Sequence, residues 1–286
     1  MSGKLFIVGT PIGNLDDISK RALDTLNMVD FIACEDTRVT IKLLNHFGIK
    51  KKLVSYHEFS SKEREDMIIE ELKSGKKIAL VSDAGMPLIS DPGYELVRRC
   101  IKEGIDVTVI PGPCAFVCAL VISGQNTRNF VFEGFLPKNK RSKREKLESL
   151  KFEKRTMVFY EAPHKLLDTL LQMAEVFGKD REISIVKEIT KIHESVMLTS
   201  IGEAIEFFKK NPPKGEYVII VRGFEESGQQ DSKSCDMGVI KSKLYEKISR
   251  GLTKKEAIKL VAEELKIAKN IVYKASLELQ DFFNKE

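Results

Sequence analysis

The stretch Ile78-Ala79-Leu80-Val81-Ser82-Asp83-Ala84-Gly85-Met86-Pro87-Leu88-Ile89-Ser90-Asp91-Pro92-Gly93 decides the architecture. It opens as a short unbroken apolar run and passes into a loop of glycine, proline and aspartate. An apolar run closed in this way suits a parallel strand buried on both faces. In open α/β sheets, ligands bind at the carboxyl ends of such strands. A loop this long exceeds what connection alone requires, so it is expected to carry function.

The same pattern recurs on either side. Leu5-Phe6-Ile7-Val8 ends at Gly9, and Phe31 to Cys34 and Val107 to Ile110 read as further buried strands. Helical spacing lies between them. Ile18, Ala22, Leu26 and Val29 share one face. Val39 to Phe47 is stopped by Gly48, and Lys62 to Lys73 carries Met67, Ile68, Glu71 and Leu72. Repeated strand–helix units predict a mostly parallel sheet covered on both faces.

A second series starts near Phe130, past the polar stretch Ser123 to Arg128. Strands are expected at Phe130 to Phe135, Thr156 to Tyr160, Glu182 to Val186, Val196 to Ser200 and Tyr217 to Val221. Helices are expected at Lys143 to Leu150, Lys165 to Phe177 and Gly202 to Lys209. Strands are denser here, which predicts a mixed sheet. Glu225 to Asp236 has almost no apolar content and reads as a linker. Beyond it, Thr253 and Glu256 form a capping box ahead of Ala257, Leu260, Val261 and Leu265. A second helix carries Ile271, Val272, Ala275, Leu277 and Leu279, joined to the first at Lys266 to Lys269 in the manner of a helix-turn-helix. The expected division is an N-terminal α/β lobe at 1–124, a C-terminal lobe at 125–224, a linker at 225–237 and a helical domain at 238–286.

With 42% hydrophobic and 31% charged residues, disorder is excluded as the general reading. The net charge of +5 permits an anionic partner without requiring one. Five cysteines, an odd number, point to a reducing compartment. No stretch approaches the roughly 20 apolar residues of a membrane span, so a cytoplasmic protein is expected. His46, His57, His164 and His193 lack paired ligand spacing, and Cys114 with Cys118 reads as small core residues, so no metal site is expected.

Three more loops join the first. Gly9-Thr10-Pro11-Ile12-Gly13-Asn14-Leu15 is neither a dinucleotide fingerprint nor a phosphate loop. In Pro111-Gly112-Pro113-Cys114-Ala115, Pro113 suits a first helical turn, and small residues there leave N–H groups open to a ligand. Tyr160-Glu161-Ala162-Pro163-His164, with Glu188-Ile189-Thr190-Lys191 after the next strand, supplies carboxylates, an imidazole and an ammonium suited to proton transfer.

Together these loops resemble the two-lobed tetrapyrrole-methylase fold of S-adenosylmethionine enzymes. The likeness is closest to the RsmI-type 16S ribosomal RNA methyltransferases. It is carried by Gly9 to Ile18, Glu35-Asp36-Thr37-Arg38, Ser82 to Gly93, Pro111-Gly112-Pro113, Glu133 to Pro137, Tyr160 to His164 and Glu188 to Lys191. Met86 stands where that family more often has Thr, Cys114 where Ser is usual, and Lys165 where Arg is common. The resemblance implies S-adenosylmethionine as cofactor, held between the lobes by Pro11, Ser82, Asp83, Ala84, Gly85, Leu88, Ile89, Cys114, Ala115, Tyr160, Glu161, Ala162, Glu216 and Tyr217. It further implies 2′-O-methylation of a cytidine in the decoding region of 16S rRNA, with naked rRNA or the small subunit as partner, a homodimer, and no metal.

A ribose hydroxyl is a poor nucleophile while neutral, so a site for this chemistry needs a base or a group that stabilises the developing alkoxide. Lys191 suits the second task and Glu188 could orient it, while Glu161 and His164 compete for the role of base. Lys138 to Lys146 is densely basic and follows Phe135, a possible stacking aromatic. RNA contacts are therefore expected at Arg38, Lys138, Lys140, Arg141, Lys143, Arg144, Lys146 and Lys165, extended in the tail by Lys241, Lys243, Lys254, Lys255, Lys259, Lys266 and Lys269. The rival readings are a methylase of a small tetrapyrrole, which needs neither the basic loop nor the tail, and a ribosome-assembly factor that binds RNA without catalysis.

Overall fold

Alternate residues of each early strand face opposite ways, and both faces are buried. Leu5 and Ile7 of β1 (Lys4–Val8) pack with Ile68, Leu72 and Leu96 on one side, whereas Phe6 and Val8 pack with Ala22, Leu26 and Leu44 on the other. The structure, a computed structural model, describes residues 3–57, 62–225 and 237–265, with 267, 269, 271–273 and 275–277. The chain divides into two units, Met1–Phe224 and Glu225–Glu286.

The first sheet joins β1 to β2 (Phe31–Cys34), β3 (Lys52–Ser55), β4 (Lys77–Val81) and β5 (Asp106–Ile110) in the order β3-β2-β4-β1-β5, all parallel. Helices α1 (Lys20–Met28) and α2 (Thr37–His46) supply one apolar layer. Helices α3 (Lys62–Lys73) and α4 (Tyr94–Lys102) supply the other. Side-chain oxygens of Ser19 and Asp36 cap α1 and α2. Because β4 lies beside β1, the loops leaving their carboxyl ends meet.

The second sheet has the order β6-β7-β10-β8-β9. It comprises β6 (Phe130–Phe135), β7 (Thr156–Glu161), β8 (Glu182–Lys187), β9 (Ser195–Ser200) and β10 (Tyr217–Val221). Only β6 and β7 pair in parallel, so the sheet is mixed as expected. One face packs on α6 (Lys140–Ser149), α7 (Pro163–Phe177) and α8 (Ile201–Lys210). The other is covered by α5 (Ala115–Ile122), whose Ala119 and Leu120 meet Val158, Val186 and Val218. Helix α5 follows the first sheet in the chain and packs on the second, which ties the lobes together.

The second unit contains α9 (Met237–Ser249) and α10 (Lys254–Leu265), packed through Ile240, Leu244, Ala257 and Val261 with Val272 and Ala275. Thr253 and Glu256 cap α10 reciprocally, the Thr253 amide donating to Glu256 at 3.0 Å and the Glu256 amide to Thr253 at 3.4 Å. Leu260, expected on the apolar face, is exposed instead. Residues 226–236, which hold most of the expected linker, and Lys266 and Leu279 lie outside the described residues. No helix among the described residues is long and apolar enough to cross a membrane.

Sequence reading missed two elements. Strand β3 is short and opens on a lysine, and α4 lies just past the long loop. The helix expected to open at Pro113 is present as α5 but begins two residues later, at Ala115, with Cys114 as its N-cap.

Candidate functional site

The loop after β1 is bound to the loop after β4. The Thr10 amide donates to Gly85 O at 2.9 Å, and the Gly85 amide returns a bond to Thr10 O at 3.1 Å. Where β1 and β5 end, their backbones touch. A Cβ on Gly9 would lie 2.7 Å from Gly112 Cα, so both positions require glycine. These contacts brace loops whose next residues line a cleft of about 490 Å³, within the range of small-ligand sites.

Both lobes line it. The first contributes Ile12, Glu35, Asp83, Ala84, Gly85, Met86, Ile89, Ser90, Asp91, Cys114 and Ala115. The second contributes Phe135, Tyr160, Glu161, Ala162, Pro163, Val186, Ile189, Glu216, Tyr217 and Val218. The structure thus brings Asp83, Ala84, Gly85, Ile89, Cys114, Ala115, Tyr160, Glu161, Ala162, Glu216 and Tyr217 together, while Pro11, Ser82 and Leu88 are not part of the lining. Ser82 is buried, with its hydroxyl 3.4 Å from the carbonyls of Ala84 and Gly85. Glu35, Asp91, Val186 and Val218 were not assigned to the site from sequence. Val186 and Val218 are register partners across β8 and β10, a pairing no local pattern reveals.

Backbone strain is concentrated at the same loops. Among the described residues, the non-glycine positions with left-handed φ are Leu88 at 72°, Ser90 at 64°, Glu188 at 51° and Thr190 at 64°. Each costs on the order of 1–3 kcal/mol and persists only where its surroundings enforce it, as at ligand sites.

The carboxylates of the first lobe destabilise one another. Burial, then the neighbouring charges of Glu35 and Asp83, push Asp91 up to about 6, although a hydrogen bond from Ser82 opposes the rise. Glu35 and Asp83 are also raised, again chiefly by burial. Asp36 differs: bonds from the Arg38 side chain and amide lower it to about 2. Arg38 is therefore engaged by Asp36, its closest contact 2.6 Å, and is otherwise exposed. Three carboxylates in the lining, Glu35 and Asp91 half-buried and Asp83 exposed, favour a cationic ligand.

Across the cleft, Tyr160 reaches α5, its hydroxyl accepting the Phe116 amide at 3.0 Å. Burial raises its proton affinity against the opposing effect of that bond, so it remains neutral. Lys191 and Glu188 stand outside the lining. The Lys191 ammonium donates to Glu216 Oε2 at 2.9 Å and to Glu188 Oε1 at 3.1 Å. Burial pulls Lys191 down, but these bonds outweigh it and leave it raised. Burial likewise opposes the bonds from Glu216 N–H and Lys191 that leave Glu188 lowered. A Cβ on Gly13 would lie 2.5 Å from Lys191 Cγ, so the first loop lies against this lysine. The nearby Thr190 hydroxyl is buried without a hydrogen-bond partner. His164 is exposed and lies outside the lining.

Most of the basic run is at the surface. Lys138, Lys140, Arg141 and Arg144 are exposed, and Lys146 pairs with Glu133 at 2.6 Å. Lys165 is half-buried. Lys143 departs from the expectation of an RNA contact: it is 4% exposed, with its ammonium held by Asp168 and Thr169 of α7, and is closed to an external ligand.

The sequence profile of the tetrapyrrole (corrin/porphyrin) methylases matches residues 4–205. A Thermotoga maritima protein named ribosomal RNA small subunit methyltransferase I is 52% identical over 78% of this chain and 100% of its own length. A Synechocystis protein of the same name is 43% identical over 97% of this chain and 99% of its own. Among solved structures, a cobalt-precorrin-4 methyltransferase superimposes with a TM-score of 0.58 at 18% identity, covering 77% of this chain and 94% of its own. A diphthine synthase does so with a TM-score of 0.59 at 15% identity, covering 78% and 90%. At such identities these two neighbours speak to the fold alone.

Proposed function

The chain belongs to the tetrapyrrole (corrin/porphyrin) methylases, and within them to the ribosomal RNA small subunit methyltransferase I family, and from that premise we propose that it methylates a cytidine 2′-oxygen in the decoding region of 16S rRNA, using S-adenosylmethionine, in the cytoplasm. One observation carries the reading: a cleft between the lobes with a carboxylate wall on one side and the Lys191–Glu188 pair beyond its other edge. The working division is into lobes 1–124 and 125–224, linker 225–237 and helical domain 238–286.

The cleft fits the cofactor. Glu35, Asp83 and Asp91 favour positive charge, Ala115 lies at the start of α5, and Tyr217 with Ile89 supplies apolar wall. Bound there, S-adenosylmethionine supplies an electrophilic methyl group on a sulfonium. Glu161 offers fixed acceptor oxygens in the wall, and Lys191 offers an ammonium to charge growing on a ribose oxygen. The decisive experiment is transfer of labelled methyl to undermethylated small subunits, followed by mapping of the modified nucleoside. Methylation of a base, or none, defeats the proposal.

Asp91 gives a prediction with a definite sign. Folding raises it from the usual 3.8 to about 6, so its charge destabilises the ligand-free fold above pH 6 and is relieved as pH falls toward 4. Asp91→Asn should stabilise the ligand-free protein at pH 7.5, by at most about 3 kcal/mol before solvent screening reduces it, read as a higher melting temperature. It should also weaken S-adenosylmethionine more than S-adenosylhomocysteine, whose thioether sulfur carries no charge. An unaltered ratio of the two affinities would remove Asp91 from cation recognition.

RNA binding is assigned to the exposed part of the basic run. Reversing Lys138, Lys140, Arg141, Arg144 and Lys146 to glutamate, with Lys143 left intact, should lower affinity. The salt slope should fall by about 0.7 for each phosphate of single-stranded RNA that is no longer neutralised. An unchanged slope counts against this surface.

A homodimer is supported by apolar surface left uncovered. Helix α5 is apolar on every side, yet Val117 and Val121 are exposed. Val117 shares a hollow with Ile101 and Val109 of the first lobe, both of them also exposed. Val121→Glu should shift the sedimenting species from dimer to monomer. A wild-type monomer at micromolar concentration would end this assignment.

A further inference from the structure

Helix α6 carries one lysine that points away from solvent. Lys143 Nζ donates to Thr169 Oγ1 and to Asp168 Oδ2, each at 3.1 Å. Thr169, fully buried in α7, lies 2.5 Å from Glu161 Oε2. The other oxygen of Glu161 accepts the Ala162 amide at 2.9 Å. The direction of this chain follows from elementary chemistry. An ammonium has three protons and no lone pair, and a hydroxyl has a single proton. Thr169 therefore accepts from Lys143 and gives its proton to Glu161. Both Glu161 oxygens act as acceptors, and the group is 6% exposed in the wall of the cleft.

We propose that Lys143 is a positioning residue for the methyl-transfer site: through Thr169 it holds Glu161 as an acceptor of fixed orientation, and it links the basic helix α6 to the cleft. The proposal rests on the cleft being the S-adenosylmethionine site. A buried carboxylate without a nearby cation is strongly disfavoured, and Lys143 supplies that cation through one intervening hydroxyl. With its proton-accepting geometry set from behind, Glu161 keeps lone pairs for an amine or hydroxyl of the ligand. The outer face of α6 bears exposed Lys140, Arg141 and Arg144, so RNA held there bears on the same helix that anchors the relay. Any coupling must be reciprocal: RNA alters cofactor affinity by the factor by which cofactor alters RNA affinity.

The test is calorimetric binding of S-adenosylhomocysteine to wild type, Lys143→Met, Thr169→Val, Thr169→Ser, Glu161→Gln and the Lys143→Met/Glu161→Gln double variant. Lys143→Met and Thr169→Val should each weaken binding about tenfold, while Thr169→Ser, which keeps the hydroxyl, should bind as wild type. In the double variant the losses should not multiply, because both changes break one relay. General destabilisation would instead yield multiplying losses and no rescue by serine. Wild-type affinity in Lys143→Met, or multiplying losses, overturns the proposal. If Lys143→Met does not fold, Thr169→Val against Thr169→Ser makes the same comparison, and equal affinities overturn it. Failure of wild type itself to bind S-adenosylhomocysteine would defeat the reading of the cleft, a result distinguishable from failure of the relay.

Discussion

Lys191→Ala is expected to slow methyl transfer by about 100- to 1,000-fold, the usual consequence of removing one donor from a developing oxyanion. The Kd for S-adenosylhomocysteine should move by less than about twofold, because Lys191 lies outside the cleft lining. The geometry also limits what this residue can do. Its ammonium is held by Glu188 and Glu216, which keeps it protonated through neutral pH. A permanently charged amine cannot take a proton from the ribose hydroxyl, so it acts by stabilising charge. Glu188, with its proton affinity lowered, is a poor base and is better suited to orienting Lys191. Single-turnover methylation with titration calorimetry measures both quantities. Unchanged turnover would take Lys191 out of the mechanism. Parallel losses in rate and cofactor affinity would reassign it to cofactor binding.

The loops after β1, β4, β5 and β7 were legible in sequence because each joins a short apolar run to glycine or proline, and strand ends are where such folds bind ligands. Their pairing was less legible. Thr10 and Gly85 are bonded because β4 lies beside β1, and that order is a property of the whole sheet. Asp91 was visible as one of two aspartates in a long loop, but its altered proton affinity depends first on burial in the folded protein and then on Glu35, which arrives from the end of β2. Composition hid the character of Lys143 completely. It sits among exposed lysines and arginines, and only the packing of α6 against α7 turns it inward. Period-based reading failed at α5 for a related reason: a helix with apolar residues on every side has no stripe to detect, and here one side packs on the second sheet while another is left uncovered.

Gly112→Ala should both destabilise the protein and impair the cleft, since this glycine is required by contact between two backbones. A Cβ there would lie 2.8 Å from Gly9 Cα and 3.0 Å from Gly9 O, atoms that no rotamer change can move away. Gly9 is itself tethered, its amide donating to Ile110 O at 3.1 Å where β1 and β5 run side by side. Relief must therefore come from parting the ends of β1 and β5. Forced overpacking of this kind costs about 1–3 kcal/mol. In a unit of this size that corresponds to a fall in melting temperature of several degrees, roughly 2–4 °C per kcal/mol. The same movement shifts Ile12 on one loop and Cys114 and Ala115 on the other, all in the cleft lining, so cofactor affinity should fall by about tenfold or more. Gly104→Ala separates the two effects. Gly104 has φ 69° but nothing within 4 Å of its Cβ position, so alanine there incurs only backbone strain, about 1 kcal/mol, and leaves cofactor binding unchanged. If Gly112→Ala behaves like Gly104→Ala in both measurements, the two loops are not braced against each other, and the cleft does not depend on glycine at that crossing.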